Sequence, residues 1–229
     1  MPVLALDTSA AVAVSLLAAD GSILAERVVR EERRHAELLA PMIAAVLDAT
    51  GTDRAALTAI VVGTGPAPYT GLRVGLGTAR ALGLALAIPV YGVCSLEAVA
   101  AKTAIDRALP GGAEVLEVTD ARRREVYWAR YRVVADAVAV ELVAGPGVAS
   151  APQVAADGRA VGAVVVGPGA ILYAAALPPV VGAPEACDPA VLARLALART
   201  ARGEALPTEP LYLRRPDVMP PAERKRALG

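Results

Sequence analysis

Short apolar runs open the chain. Val3 to Asp7 and Val12 to Leu17 are apolar almost throughout, and Asp20-Gly21 supplies the turn into a third run, Ile23 to Val29. Such runs, bounded by turn residues, predict strands, here a three-stranded meander. The period then changes. From Arg34 to Ala49, Leu38, Leu39, Met42, Ile43, Val46 and Leu47 recur at spacings of three and four, which is one face of a helix. Pro41 lies within it; lacking an amide hydrogen and clashing with the preceding turn, it requires the helix to begin only a few residues upstream or to kink. Ala59 to Val62 predicts a strand, Gly63 to Pro68 a turn-rich loop, and Gly71 to Ile88 a long helix with Thr70 as its N-cap, ended by Pro89. Val90 to Val93 reads as the next strand, and Ser95 as the cap of a helix to about Ala104.

The order then restarts. Val115 to Thr119, Val126 to Val134 and Val138 to Val143 form a second set of strand candidates, followed by a strand at Val161 to Val166 and a helix over Asp188 to Arg202. Pro207, Pro210, Pro216, Pro220 and Pro221 make the end an extended tail. The expected organisation is an α/β protein of two lobes, residues 1–106 and 107–207, with a tail over 208–229. A meander followed by alternating helices and strands, occurring twice, resembles the duplicated ribonuclease-H-like lobes of the actin, Hsp70 and sugar-kinase ATPases. Element order alone does not decide function.

Composition narrows the partners. Lys+Arg and Asp+Glu are equal at 23 each, so the chain lacks the basic excess expected of a protein that grips nucleic acid alone. The longest apolar stretches are broken by Arg73, Arg80, glycine or proline, so no membrane span is predicted. The start, with Asp7 in its apolar run, has no positive n-region or cleavage site, and a cytoplasmic location is expected. Cys94 and Cys187 lie far apart with no CxxC spacing, which predicts neither a disulfide framework nor a zinc knuckle.

Candidate chemistry is sparse. Asp7-Thr8-Ser9 keeps an acid and two hydroxyls at a strand end but continues Ala10-Ala11 without glycine. Asp120 is followed by Ala121, Arg122, Arg123 and Arg124, which puts bulky cations where a phosphate loop needs backbone amides to approach. Those arginines either bind phosphate through their side chains or pair with Glu117, Glu125 or solvent. Gly167-Pro168-Gly169, directly after a strand, is placed like the adenosine loop of such ATPases. No P-loop or dinucleotide fingerprint is present, and one histidine cannot build a Ser/His/Asp or Cys/His set. Asp7, Thr8, Ser9, Asp120, Gly167 and Gly169 therefore read as relics of a nucleotide site, with no catalytic residue, metal ligand or cofactor expected; weak adenine-nucleotide binding stays open.

Four stretches, in order, carry a family resemblance: Leu4-Ala5-Leu6-Asp7-Thr8-Ser9, Gly65 to Gly75, Asp120 to Arg123 with Glu125-Val126-Tyr127, and Tyr212-Leu213-Arg214, with His35-Ala36-Glu37 ahead of the first helix. They resemble the TsaB family over nearly the whole chain. The chain departs from the family at Ala67-Pro68, where a Gly-Ser pair is usual, and this stiffens the loop. The resemblance implies a paralogue of TsaD, the subunit that transfers threonylcarbamoyl to adenosine 37 of tRNA. TsaD-like proteins hold a metal with two histidines spaced by three residues on a helix, and His35 stands alone. The implied partners are TsaD, the ATPase TsaE and a second copy of the chain, with tRNA met only within the complex.

Gly71, Gly75, Ala79, Gly83 and Ala87 form a row of small residues spaced by four, a groove that lets another backbone approach. Either both long helices are ordinary core, or one side meets a second subunit. The resemblance favours an interface of His35, Leu38, Leu39, Met42, Ile43, Leu72, Arg73, Gly75, Ala79 and Gly83, with Arg73 at its rim or paired with Glu37. Two enzymatic readings compete with this non-catalytic subunit: a stand-alone small-molecule kinase or ATPase of the same fold, and a metallopeptidase.

Overall fold

The computed structural model describes residues 2–30, 34–134, 140–182 and 184–214. Val138 and the tail beyond Arg214, with Pro216, Pro220 and Pro221, lie outside them. The first sheet joins β1 (Val3–Asp7), β2 (Val12–Leu17), β3 (Ile23–Val29), β4 (Ala59–Gly63) and β5 (Val90–Val93) in the order β3-β2-β1-β4-β5. The meander strands are antiparallel, whereas β1, β4 and β5 run parallel. The second sheet joins β6 (Glu114–Asp120), β7 (Glu125–Val133), β8 (Val140–Ser150) and β9 (Ala163–Val166) in the order β8-β7-β6-β9, repeating the first sheet without its fifth strand among the described residues. This is the two-lobed α/β fold that the duplicated element order predicts.

Strand alternation sorts the core into layers. Val3, Ala5, Ala59 and Val61 face a middle layer, while Leu4, Leu6, Ile60 and Val62 face α1 (His35–Thr50) and α2 (Tyr69–Leu86). In the second sheet Val115, Tyr127, Ala129 and Tyr131 turn to the same middle layer, and Leu116, Val118, Val126 and Trp128 turn outward to α4 (Ala151–Ala156) and α5 (Pro168–Leu172). The middle layer is made by α3 (Ser95–Asp106) and α6 (Pro189–Thr200). These helices cross over: α3 packs on the second sheet and α6 on the first, so no single cut of the chain separates the lobes in space. The Arg199 guanidinium on α6 pairs with the Glu97 carboxylate on α3 inside this layer.

Several local expectations are corrected. Thr70 is not the cap of α2: the helix starts at Tyr69, its N-cap is Pro68, and no side chain caps it. Ser95 is the first residue of α3, after Cys94 as N-cap, and its hydroxyl is used elsewhere. Pro41 sits inside α1, which begins six residues earlier. The strand predicted over 138–143 runs to Ser150 and contains Gly145-Pro146-Gly147; as the edge strand of its sheet, β8 can hold a proline without losing a ladder bond on both sides. Gly147 also leaves room for the Trp128 ring, which a Cβ would meet at 2.9 Å.

The row of small residues on α2 faces the chain's own sheet. A Cβ on Gly75 would collide with the Thr8 hydroxyl and one on Gly83 with Val90 Cγ2, while Ala79 is fully buried. Gly77, on the outer side, has open space around it. Gly75→Leu should therefore destabilise the fold by about 3 kcal/mol or more through overpacking. Gly77→Ala should stabilise it by up to about 1 kcal/mol through helix propensity. Chemical denaturation of both variants checks the pair.

Candidate functional site

Two lobe edges meet at a cleft of about 650 Å³ lined by Thr8, Ser9, Ala10, His35, Ala36, Pro68, Thr70, Gly71, Val74, Thr119, Asp120, Arg122 and Pro168. The ends of β1 and β6 and the starts of α1, α2 and α5 all converge there. Three of the four stretches singled out in the sequence thus share one site, and His35 joins them.

Asp7 lies beneath the cleft floor and is 1% exposed. Its Oδ1 accepts from the Ser9 amide at 2.9 Å and the Ser9 hydroxyl at 2.5 Å; its Oδ2 accepts from the Ser95 hydroxyl at 2.6 Å. The Ser95 oxygen in turn accepts from the Gly65 amide at 3.2 Å. Gly63, at the end of β4, makes room for this group, since a Cβ there would collide with Asp7 Oδ2. Burial pushes the Asp7 carboxyl above the usual range, against the lowering effect of its donors. The Thr8 hydroxyl donates to the Gly71 carbonyl at 2.8 Å, tying the β1 turn to the first turn of α2. The groups expected to face a phosphate are therefore spent on the fold.

On the opposite lip, Asp120 Oδ1 accepts from the Arg122 amide at 2.9 Å. Arg122, Arg123 and Arg124 all hold φ between 55° and 63°, a left-handed turn that L side chains adopt at a cost of roughly 1–2 kcal/mol per residue. Of the alternatives for these arginines, Glu117, Glu125 or solvent, the first is not taken: Arg122 pairs with Asp120 at 3.4 Å, whereas Glu117 is fully buried, accepts from the Thr119 hydroxyl at 2.7 Å, and leaves Oε2 without a partner. Its pKa is pushed up to about 8 by burial. Glu125 instead pairs with Arg214. Gly167 and Gly169 do not line the cleft; a Cβ on Gly167 would collide with the Val118 carbonyl, and one on Gly169 would lie 2.9 Å from it, so they let α5 pass over β6.

Of the residues expected at a partner interface, Leu39, Met42, Ile43, Leu72, Gly75, Ala79 and Gly83 are buried within this chain, Leu38 is half-buried, and His35 lines the cleft. Arg73 is exposed, but it lies 3.6 Å over the Tyr69 ring and donates to the Tyr212 hydroxyl at 3.1 Å, while Glu37 pairs with Arg34. Cys94 and Cys187 are free thiols; Cys94 donates to the Gly65 carbonyl at 3.2 Å, and burial raises its pKa to about 11. Sequence reasoning missed Glu117 as a buried acid, the Ser95–Asp7 bond, and the Tyr69–Arg73–Tyr212 stack. The one available signal was Glu117 itself, a carboxylate on the inward phase of an apolar strand.

The family model for TsaD, tRNA N6-adenosine threonylcarbamoyltransferase, matches residues 22–159. The chain belongs to the TsaD/YeaZ family. An uncharacterised protein of Mycobacterium tuberculosis is 43% identical over 228 residues, spanning 95% of this chain and 94% of that protein. The tRNA threonylcarbamoyladenosine biosynthesis protein TsaB of Escherichia coli is 34% identical over 132 residues, 58% of this chain and 55% of its own length. Among solved structures, YeaZ from Pseudomonas aeruginosa superposes with a TM-score of 0.76 at 32% identity, covering 93% of this chain and 99% of that one. The two-lobed fold is thus that of the TsaD/YeaZ family.

Glu117, buried beneath Thr119 of the cleft lining, makes the stability of the fold pH-dependent. Its folded pKa of about 8 lies above the ordinary glutamate value of 4.5, so folding takes up a proton between those values. Stability is fully present below the unfolded pKa, falls as pH rises through the window, and is lost above the folded pKa. One such proton gives a slope of about 1.4 kcal/mol per pH unit. Glu117→Gln should remove that slope and leave the variant more stable than the parent at pH 8; Asp7, shifted the same way, retains its own contribution. Denaturation midpoints measured from pH 4.5 to 8 check this.

Proposed function

We propose that this chain is the non-catalytic partner subunit of the complex that forms N6-threonylcarbamoyladenosine at position 37 of tRNAs, and that it binds and activates a TsaD-type transferase. Family membership supports the setting. The matching family model is described as a transferase, yet the histidine pair such a subunit needs for metal is missing from a sequence with a single histidine. The cleft offers an incoming triphosphate an acid already bonded on both oxygens and hydroxyls already donated inward.

The observation that carries the reading lies on the outward sides of α1 and α2, which pack beside each other. Ala40, Ala44, Gly77, Ala81 and Ala85 are exposed there, and Leu84 is 86% exposed. These small residues around an apolar knob, with the exposed Arg73 and Arg80 on the same face of α2, suit close helix packing with another subunit through a polar rim. The partner surface is thus the reverse side of the two helices whose inner residues the periodicity singled out. A second copy of the chain uses the same face when TsaD is absent. TsaE supplies ATP hydrolysis, tRNA is met only within the assembly, and the complex works in the cytoplasm. Among the described residues no helix is long and apolar enough to cross a membrane.

Co-purification with TsaD from the same organism tests the proposal. Leu84→Glu should weaken association at least about tenfold without changing the melting temperature, since the side chain packs on nothing in the monomer. Undiminished association would move the interface elsewhere. ATP turnover by the isolated chain would replace the proposal with the kinase or ATPase reading.

A further inference from the structure

We infer that residues 206–214 form a clasp that ties the two lobes together and sets the opening of the cleft. The segment is fastened to the first lobe at four places. The Gly92 amide donates to the Leu206 carbonyl at 3.1 Å, and Arg80 donates to the Thr208 hydroxyl and carbonyl at 2.9 and 2.6 Å. The Leu211 amide donates to the Thr64 carbonyl at 2.9 Å. Tyr212 then stacks on Tyr69 with ring centroids 4.9 Å apart and accepts from Arg73. Two residues later the segment reaches the second lobe, where Arg214 donates to the Ala121 carbonyl at 3.0 Å and pairs with Glu125.

The position of these ends gives the segment its effect. Tyr69 lies between Pro68 and Thr70, and Ala121 between Asp120 and Arg122, so each fastening point adjoins residues that line one lip of the cleft. The chain from Tyr212 to Arg214 can extend by at most about 7 Å. With so short a link between the two anchors, a wide separation of the lips strains the contacts at one end. The seat is specific to this segment: a Cβ on Gly92 would collide with the Pro207 carbonyl. The lobes are also joined through the shared α3–α6 layer, and the clasp adds a fastening at the mouth. It also accounts for the Tyr212-Leu213-Arg214 signature, whose outer residues are its two anchors while Leu213 packs against the middle layer. The inference stands whether or not the chain serves a transferase.

Hydrogen exchange of the full chain tests it, comparing Arg214→Ala, Glu125→Ala and Tyr212→Ala with the parent. Peptides spanning residues 8–11 and 119–122 report the two lips, and residues 151–156 in α4 serve as the control. Release at either end should speed exchange at both lips by about threefold or more while the control is unchanged. A rise confined to the lip nearest the substitution would overturn the clasp and leave only local contacts. So would unchanged lips, or an equal rise in all three peptides. Should Arg214→Ala fail to fold, Arg214→Met, which keeps the length of the side chain and loses both bonds, releases the same end and decides the question.

Discussion

A buried carboxyl group organises this molecule. Asp7 ends β1 where the first sheet meets α3, and it can stay in the interior only because three donors satisfy it and Gly63 yields space. Leaving a buried acceptor unmet costs about 1–3 kcal/mol, more for a charged group, so each partner is constrained in turn. Ser95 must begin α3 at this point, and Gly65 must present its amide to Ser95. The loop between β4 and α2 is thereby fixed, and with it the first turn of α2. Asp7 thus serves as the pin of the first lobe.

The same economy appears in the glycines. Gly167 and Gly169 resemble a nucleotide loop in sequence, and Gly71, Gly75 and Gly83 resemble a docking groove. Built onto the backbone, a Cβ at each of them would press on the Val118 carbonyl, the Thr8 turn or Val90. Close passage of α5 over β6 and of α2 over the first sheet accounts for them fully. Their presence is therefore no testimony to a ligand or a partner; the exposed side of α2, with Leu84 and Gly77, carries the open surface of that helix.

Much of the fold was legible because strand and helix periods report burial directly. The three opening strands, the Ile23–Val29 boundaries and both long helices follow from apolar spacing alone. Shorter elements left no such trace: α4 and α5 span six and five residues, too few for a period to show. β8 runs on through Gly145-Pro146-Gly147, residues that interrupt an apolar run, and its place at the sheet edge explains their tolerance. Burial on one side of a helix was legible, but which neighbour does the burying was not. A row of small residues specifies close approach without naming the surface approached. Pairings across the chain, such as Glu125 with Arg214 or Tyr69 with Tyr212, have no local signal, although the motifs containing them could be picked out.

The cleft persists although Asp7, Thr8 and Ser9 at its floor are engaged in the fold, and packing explains why. The lobes meet through α3 and α6, which cross between the sheets, and the edges beyond that shared layer are held apart by the helix starts that line the space. Closing the gap would require α1 and α2 to slide over a sheet into which Gly75 and Gly83 already fit without spare room. A two-sheet frame with interleaved helices thus carries an interlobe cavity as a geometric consequence. At its floor, the polar hydrogens and lone pairs of Asp7, Thr8 and Ser9 are spent on the fold, so the walls of the cleft are fixed by the same bonds that hold β1 to α2 and α3.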